Sequence, residues 1–228
     1  EVGYLSQGHE DLHENFTALD ELIEEFNLPT EKARSELARL DLGAEIVEKK
    51  ISGERVFDGV LLHVNKDEVE LPNGHKAVRE WIKHPGASAV IPLLPDNQII
   101  LVKQFRYPVG KVTLEVPAGK LDKVGEDPIE CAKRELSEET GYTAGKIWRL
   151  TTIATTVGFS DEYIHLYAAT DLKQGELHPD SDEFINVVKI PLTAALQMVE
   201  SGKIFDAKSA ISILLLAKQV FHKKSEAI

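Results

Sequence analysis

The chain has 228 residues, long for one minimal domain and short for two large ones, so one catalytic-size unit with smaller attached pieces is expected. Hydrophobic residues make up 43% and charged residues 28%, which excludes wholesale disorder. A formal net charge of −12 excludes a protein that coats nucleic acid, because phosphates would be repelled.

The acidity is concentrated at the start. Residues 1–43 hold eleven acids against Lys32, Arg34 and Arg39, so eight of the twelve net negative charges fall there. Leu12, Leu19, Leu22, Ile23 and Phe26 recur at helical spacing in this stretch, with acids on the other face. Asn27-Leu28-Pro29 stops that helix, and Thr30 is placed to cap a second one running to about Leu40. The pair reads as a solvated or dimer-covering extension, not as a catalytic part.

From about Ala44 the period turns toward two. Residues 56–64 and 68–71 read as strands, Leu71-Pro72-Asn73-Gly74 as a turn, and residues 77–82 as the next strand. Gly86 opens a second β-rich stretch. There, residues 89–94 and 99–102 read as a hairpin through Pro95-Asp96-Asn97, and 112–116 as a strand ending at Pro117-Ala118-Gly119. The next helix carries a full set of boundary signals. Asp127 is the N-cap, Pro128 takes the first helical position, Glu130 sits where a capping box needs it, and Gly141 is placed to end it. Strands at 147–153, 163–169 and 185–190 follow, then helices near 192–200 and 207–222. The expected organisation is an acidic helical extension (1–43), a small β domain (44–85) and an α/β domain (86–228).

The single cysteine, Cys131, excludes an intramolecular disulfide framework and suits a reducing compartment, the cytoplasm. The longest apolar run, residues 210–217 with Ser212 inside it, is too short to span a bilayer, so no membrane partner is expected. No basic-then-apolar stretch opens the sequence, and no secretory leader is expected.

Chemistry concentrates on the capped helix. At 100° per residue, Glu135, Glu138 and Glu139 fall within about 100° of arc, so three carboxylates share one face. Like charges so spaced either face water or hold a cation, and oxygen ligands without His or Cys favour Mg²⁺ or Mn²⁺ over zinc. An acidic surface face paired with Lys133 and Arg134 is the plainer alternative. The frame around the glutamates decides between them. Gly119, Glu126 and the run Arg134-Glu135-Leu136-Ser137-Glu138-Glu139-Thr140-Gly141-Tyr142 closely resemble the Nudix box, G-x5-E-x7-R-E-U-x-E-E-x-G-U, with U apolar. One departure stands: six residues, not five, separate Gly119 from Glu126.

Further stretches extend the resemblance over roughly residues 44–221. Leu71-Pro72-Asn73-Gly74, His84-Pro85-Gly86-Ala87, Gln104-Phe105-Arg106-Tyr107-Pro108, Glu115-Val116-Pro117-Ala118-Gly119-Lys120, Gly158-Phe159-Ser160-Asp161-Glu162 and Asp182-Glu183-Phe184-Ile185 are similar to the ADP-ribose pyrophosphatase branch of that family. The resemblance implies an α/β fold, an α/β/α sandwich with a mixed sheet, preceded by a small β domain exchanged across a homodimer. It implies Mg²⁺ held by Glu135, Glu139, Glu138 and the carbonyl of Ala118, with Arg134 orienting a glutamate by paired hydrogen bonds. Glu183, with Asp182 second, takes the place of the general base. Arg79 and Arg106 are the candidates for substrate phosphate or ribose, and Glu115, Ser160 and Glu162 lie in segments that face the pocket. The implied reaction is hydrolysis of a nucleoside diphosphate sugar, ADP-ribose to AMP and ribose 5-phosphate. Val157 stands where the branch commonly has a proline linked to ADP-ribose preference, which keeps GDP-mannose, ADP-glucose and NADH open as substrates. A non-catalytic nucleotide-sugar sensor is the reading of a different class.

The remaining residue types point elsewhere. His165, in an expected strand, reads as structural. Cys131, between box positions, reads as a small buried residue and not a nucleophile, and Trp81 and Trp148 read as packing residues.

Overall fold

The computed structural model of the chain describes residues 18–24, 27–39, 46–121, 123, 125–176 and 184–225. Its contacts divide the chain into two units, residues 1–54 with 66–79 and residues 55–65 with 80–228.

In the first unit, helices α1 (Ala18–Glu24) and α2 (Thr30–Arg39) pack together. Ala33 and Leu37, four apart and so on one face of α2, are buried. The stop between the helices is where Asn27-Leu28-Pro29 puts it: Asn27 adopts a φ of 48° and Leu28 N–H donates to the Leu22 carbonyl at 3.1 Å. Thr30, expected as a flanking cap, is the first helical residue. Leu12 and Phe26 lie outside the described residues.

Strands β1 (Lys49–Asp58), β2 (His63–Glu70) and β3 (Lys76–Lys83) form a three-stranded sheet in that order. The strand expected at 56–64 is broken. Gly59 N–H donates to the Leu62 carbonyl at 2.9 Å, so the apolar run Val60-Leu61-Leu62 forms an exposed turn and not the middle of a strand. Asp58 braces this turn through Arg55 Nη1 at 2.9 Å and His63 Nδ1 at 2.6 Å. The Leu71–Gly74 turn is present, with Gly74 at a φ of 82° and its N–H on the Leu71 carbonyl at 2.8 Å. Every residue of β1 is exposed.

The second unit continues with β4 (Ala87–Pro92), β5 (Gln98–Arg106), β6 (Lys111–Glu115), β7 (Ala118–Lys120), α3 (Pro128–Thr140), β8 (Tyr142–Ala154), β9 (Tyr163–Gln174), β10 (Asn186–Pro191), α4 (Leu192–Glu200) and α5 (Ala207–Ser225). One sheet runs β10-β5-β6 and the other β7-β4-β9-β8. Parallel pairing of β4 with β9 among antiparallel neighbours makes the second sheet mixed.

Period-two alternation sorts side chains into two layers. Ala87, Ala89 and Ile91 of β4 join Leu192, Ala195, Ile213 and Leu216 of α4 and α5 in one core. Val90 faces the opposite way, onto Ala132 and Leu136 of α3. Residues Ile99 and Leu101 against Ile100 in β5, and Leu166 and Ala168 against Tyr167 and Ala169 in β9, repeat the split. The result is the expected α/β/α sandwich. The expected hairpin between β4 and β5 survives only at its tip, where Leu94 N–H meets the Gln98 carbonyl at 2.8 Å. Beyond the tip the strands part into different sheets, because β7 and β9 occupy both edges of β4. Among the described residues, no helix is long and apolar enough to cross a membrane.

Candidate active site

The helix α3 is pinned at both ends. Asp127 Oδ1 accepts from Ile129 N–H at 2.9 Å, Pro128 occupies the first position, and Gly141 closes the helix with a φ of 73° and its N–H on the Ser137 carbonyl. Glu130, expected to return to the cap, instead pairs with Lys133 Nζ at 2.7 Å. Ser88 Oγ of β4 donates to the Pro128 carbonyl at 2.7 Å and ties the helix start to the sheet. Cys131, Ala132 and Leu136 are fully buried and fix which face turns outward.

On the neighbouring face, Arg134 gathers three carboxylates. Its Nε and Nη2 bind both oxygens of Glu126 at 2.8 and 3.0 Å, and Nη1 reaches Glu138 at 2.8 Å and also Glu135. The sixth residue between Gly119 and Glu126 therefore does not keep Glu126 from its arginine. The guanidinium holds the Glu126 carboxyl below the usual range, and these acids hold Arg134 well above its own. Glu139 is buried and accepts from Ala118 N–H at 3.0 Å, which joins the helix to the start of β7. A Cβ built on Gly119 would fall on the Glu135 carboxylate, so only glycine lets that buried acid lie against the strand.

Arg106 and Glu115 come together in the same unit, as an ion pair. Arg106 Nε and Nη2 meet both oxygens of Glu115 at 2.8 Å each. Thr113 Oγ1 donates to Glu115 at 2.6 Å, and the buried Lys208 Nζ contacts its other oxygen. Burial alone would raise the Glu115 pKa, yet Arg106, Lys208 and Thr113 lower it to about 2. Arg106 is raised by Glu115 first and, at longer range, by Glu139, so the guanidinium feels the box acids.

Ser160 and Glu162 lie in a loop stitched to the end of β3 and to His84. Ile82 N–H donates to the Phe159 carbonyl at 2.8 Å, and His84 N–H to Asp161 at 2.7 Å. Glu162 accepts from Thr155 Oγ1 at 2.5 Å, with His84 Nε2 at 3.5 Å. His84 Nδ1 accepts from Gly86 N–H, which leaves the proton of the neutral ring on Nε2, toward Glu162. The Gly86 carbonyl accepts from Leu121 N–H at 3.0 Å, linking this segment to the residue after β7. Arg79 belongs to the first unit, where it pairs with Glu48. Asp182 and Glu183 lie outside the described residues. Val157 is 84% exposed. Cys131 is fully buried, its Sγ set against the Gly119 and Lys120 carbonyls, and burial pushes its thiol up to about 11, which removes it as a nucleophile. His165 is lowered by burial and meets Thr152 Oγ1 at 2.9 Å, a structural contact.

The residues missed from the sequence are Lys208, Asp206 and Ser209 at the start of α5, and His84. Lys208 had a signal: a cation in the first turn of a helix opposes the helix dipole and needs a partner.

Among the described residues, no group of three or more His, Cys, Asp or Glu side chains is gathered closely enough to hold a metal ion. The donor chemistry nevertheless suits a hard divalent cation. Glu135 and Glu139 are buried acids, Glu138 is two-fifths open, and all offer oxygen. In the conformation described, Arg134 takes up oxygens of Glu135 and Glu138.

Comparison with known proteins agrees with this geometry. Residues 82–210 match the NUDIX domain. The ADP-ribose pyrophosphatase of Bacillus subtilis (strain 168) is 45% identical over 171 residues, covering 74% of this chain and 92% of that protein. The methanol dehydrogenase activator of Bacillus methanolicus is 43% identical over 180 residues, covering 78% and 97%. The GDP-mannose pyrophosphatase of Yersinia enterocolitica serotype O:8 is 34% identical over 146 residues, covering 60% and 74%. A crystal structure described as an ADP compounds hydrolase shares the fold, with a TM-score of 0.69 over 77% of this chain and 95% of that one at 23% identity. The chain therefore belongs to the NUDIX domain family, and it is a pyrophosphohydrolase.

Proposed function

We propose that the protein hydrolyses the pyrophosphate bond of a nucleoside diphosphate sugar, with ADP-ribose cleaved to AMP and ribose 5-phosphate. The observation that carries this reading is the capped α3, which sets Glu135 and Glu139 in register against the Ala118–Gly119 strand. The 45% identity to an ADP-ribose pyrophosphatase supports the choice of substrate. Water adds across the P–O–P bridge: its oxygen joins one phosphorus, and its proton ends on the phosphate that leaves.

Glu135, Glu138, Glu139 and the Ala118 carbonyl would hold Mg²⁺, with Mn²⁺ as a substitute. A divalent ion supplies charge neutralisation of the diphosphate and a lowered pKa for the attacking water. Arg134 keeps Glu126, Glu135 and Glu138 in place. Arg106, anchored by Glu115, offers its remaining Nη1 edge to a phosphate oxygen, and Glu162 and Ser160 are assigned to the sugar side. Glu183, with Asp182 as the alternate, is assigned the water's proton.

Val157, in the place of the branch's proline, favours a second substrate reading, another nucleotide sugar such as GDP-mannose. A panel of ADP-ribose, GDP-mannose, ADP-glucose and NADH with Mg²⁺ or Mn²⁺, the phosphomonoester products being read as phosphate after an added phosphatase, tests both. Hydrolysis of ADP-ribose at the highest kcat/KM is expected, and no turnover of any member would end the proposal.

A homodimer formed through residues 44–85 is part of the same reading, with residues 1–43 as an acidic extension and 86–228 as the catalytic domain. Its support is the wholly exposed β1 and the bare Val60, Leu61 and Leu62. Light scattering at micromolar concentration should give twice the chain mass of 25.3 kDa. The cytoplasm is the proposed compartment, in keeping with one buried thiol.

A further inference from the structure

Glu115 lies at the end of β6, one residue before the turn into β7, and is 2% exposed. A carboxylate so placed survives as an anion only if its oxygens are fully occupied. Arg106 takes both oxygens from one side and Thr113 adds a hydroxyl, while Lys208 closes the other side. Lys208 is itself 8% exposed, and its Nζ is anchored a second time by Asp206 Oδ2 at 3.0 Å. The same Asp206 oxygen accepts from Ser209 N–H at 3.0 Å and from its hydroxyl at 2.5 Å. Ser209 Oγ in turn meets Val116 N–H at 2.9 Å. The first turn of α5 thus grips two consecutive residues, Glu115 at the end of β6 by charge and Val116 just after it by its backbone.

What this grip fixes is the direction of Arg106. An exposed arginine samples many rotamers, and each one lost on substrate binding weakens affinity. Arg106 is 43% exposed at its side chain yet bound at two nitrogens to a carboxylate that cannot turn. Its third nitrogen, Nη1, takes no part in that pair, and the group as a whole feels the charge of Glu139.

We propose that Lys208 is a positioning residue for substrate binding: through Glu115 it locks the Arg106 guanidinium in the orientation that meets the diphosphate. The inference rests on the assignment of Arg106 to the substrate phosphate. Lys208 touches neither substrate nor reacting atoms, so its effect passes through Arg106 and falls on binding.

The test is a double-mutant cycle with ADP-ribose as substrate. Lys208→Met should raise KM by roughly tenfold while kcat changes by less than about threefold. Arg106→Met should raise KM by more, and adding Lys208→Met to it should change KM no further, because the locked group is gone. A purely structural lysine would lower the melting temperature and the active fraction, leaving KM unmoved in both backgrounds. If Lys208→Met does not fold by circular dichroism, Asp206→Asn serves in its place, since it loosens Nζ without unpairing Glu115; a smaller KM rise is expected, again absent in the Arg106→Met background. An unchanged KM in the folded variant, or effects that multiply in the double variant, overturns the inference. If the wild-type chain turns over no nucleotide sugar, the functional reading fails first, and that outcome is separate from the cycle.

Discussion

Two carboxylate sites in one unit make opposite use of charge. On α3, Arg134 is bonded to Glu126, Glu135 and Glu138, so three acids share one guanidinium. At the end of β6, Glu115 alone receives Arg106, Lys208 and the Thr113 hydroxyl. The first arrangement has negative charge to spare and suits a cation. In the second the acid is saturated, and it serves as an anchor. The difference teaches that burial of a carboxylate does not identify its role. The balance of partners around it does.

The sharpest way to break the comparison is to neutralise one acid at each site. Glu139→Gln keeps the shape of the α3 face but removes a charge proposed for the metal; kcat should fall by about 10³-fold or more with the melting temperature held. Chelation by EDTA should give the same loss in the wild type and leave circular dichroism unchanged. A Glu139→Gln protein with ordinary turnover would erase the contrast. Glu115→Gln should leave kcat little changed and act on stability, at a cost of about 3 kcal/mol in urea unfolding because two cations lose their shared anion, and on KM through the loosened Arg106. The acid limb sharpens this further. Glu115's folded pKa, about 2, lies below its ordinary value of 4.5, so its contribution is complete above about pH 4.5 and drains away as pH falls toward 2. That loss, about 2 kcal/mol after allowing for screening, should be missing from a Glu115→Gln stability profile. The smallest effect belongs to the frame of the first site: Asp127→Ala removes the cap on Ile129 N–H and should cost about 1 kcal/mol.

Legibility in the sequence followed the range of the interactions. The α3 helix was readable because its determinants are local: Asp127, Pro128 and Gly141 act on adjacent backbone, and Glu135, Glu138 and Glu139 fall on one face by helical period alone. The two-layer alternation of β4, β5 and β9 was readable for the same reason. Which strands pair was not. Residues 89–94 and 99–102 look like a hairpin until β9, some seventy residues later, claims the edge of β4. The apolar Val60-Leu61-Leu62 reads as strand on hydrophobicity alone, whereas the turn bond from Gly59 to Leu62 decides the break. In the site, Arg106 and Glu115 each stood out as single residues, but their pairing, and the reach of Lys208 across 93 positions, exist only once β6 and α5 are folded together.

The placement of Cys131 has a practical consequence. Its sulfur is sealed between α3 and the carbonyls of Gly119 and Lys120, with its ionisation pushed to about 11. The folded chain should therefore take up maleimide or iodoacetamide at neutral pH far more slowly than the urea-unfolded chain does. A cysteine engineered anywhere on the surface would be the one labelling handle, so fluorophores or spin probes can be installed without first deleting the native sulfur.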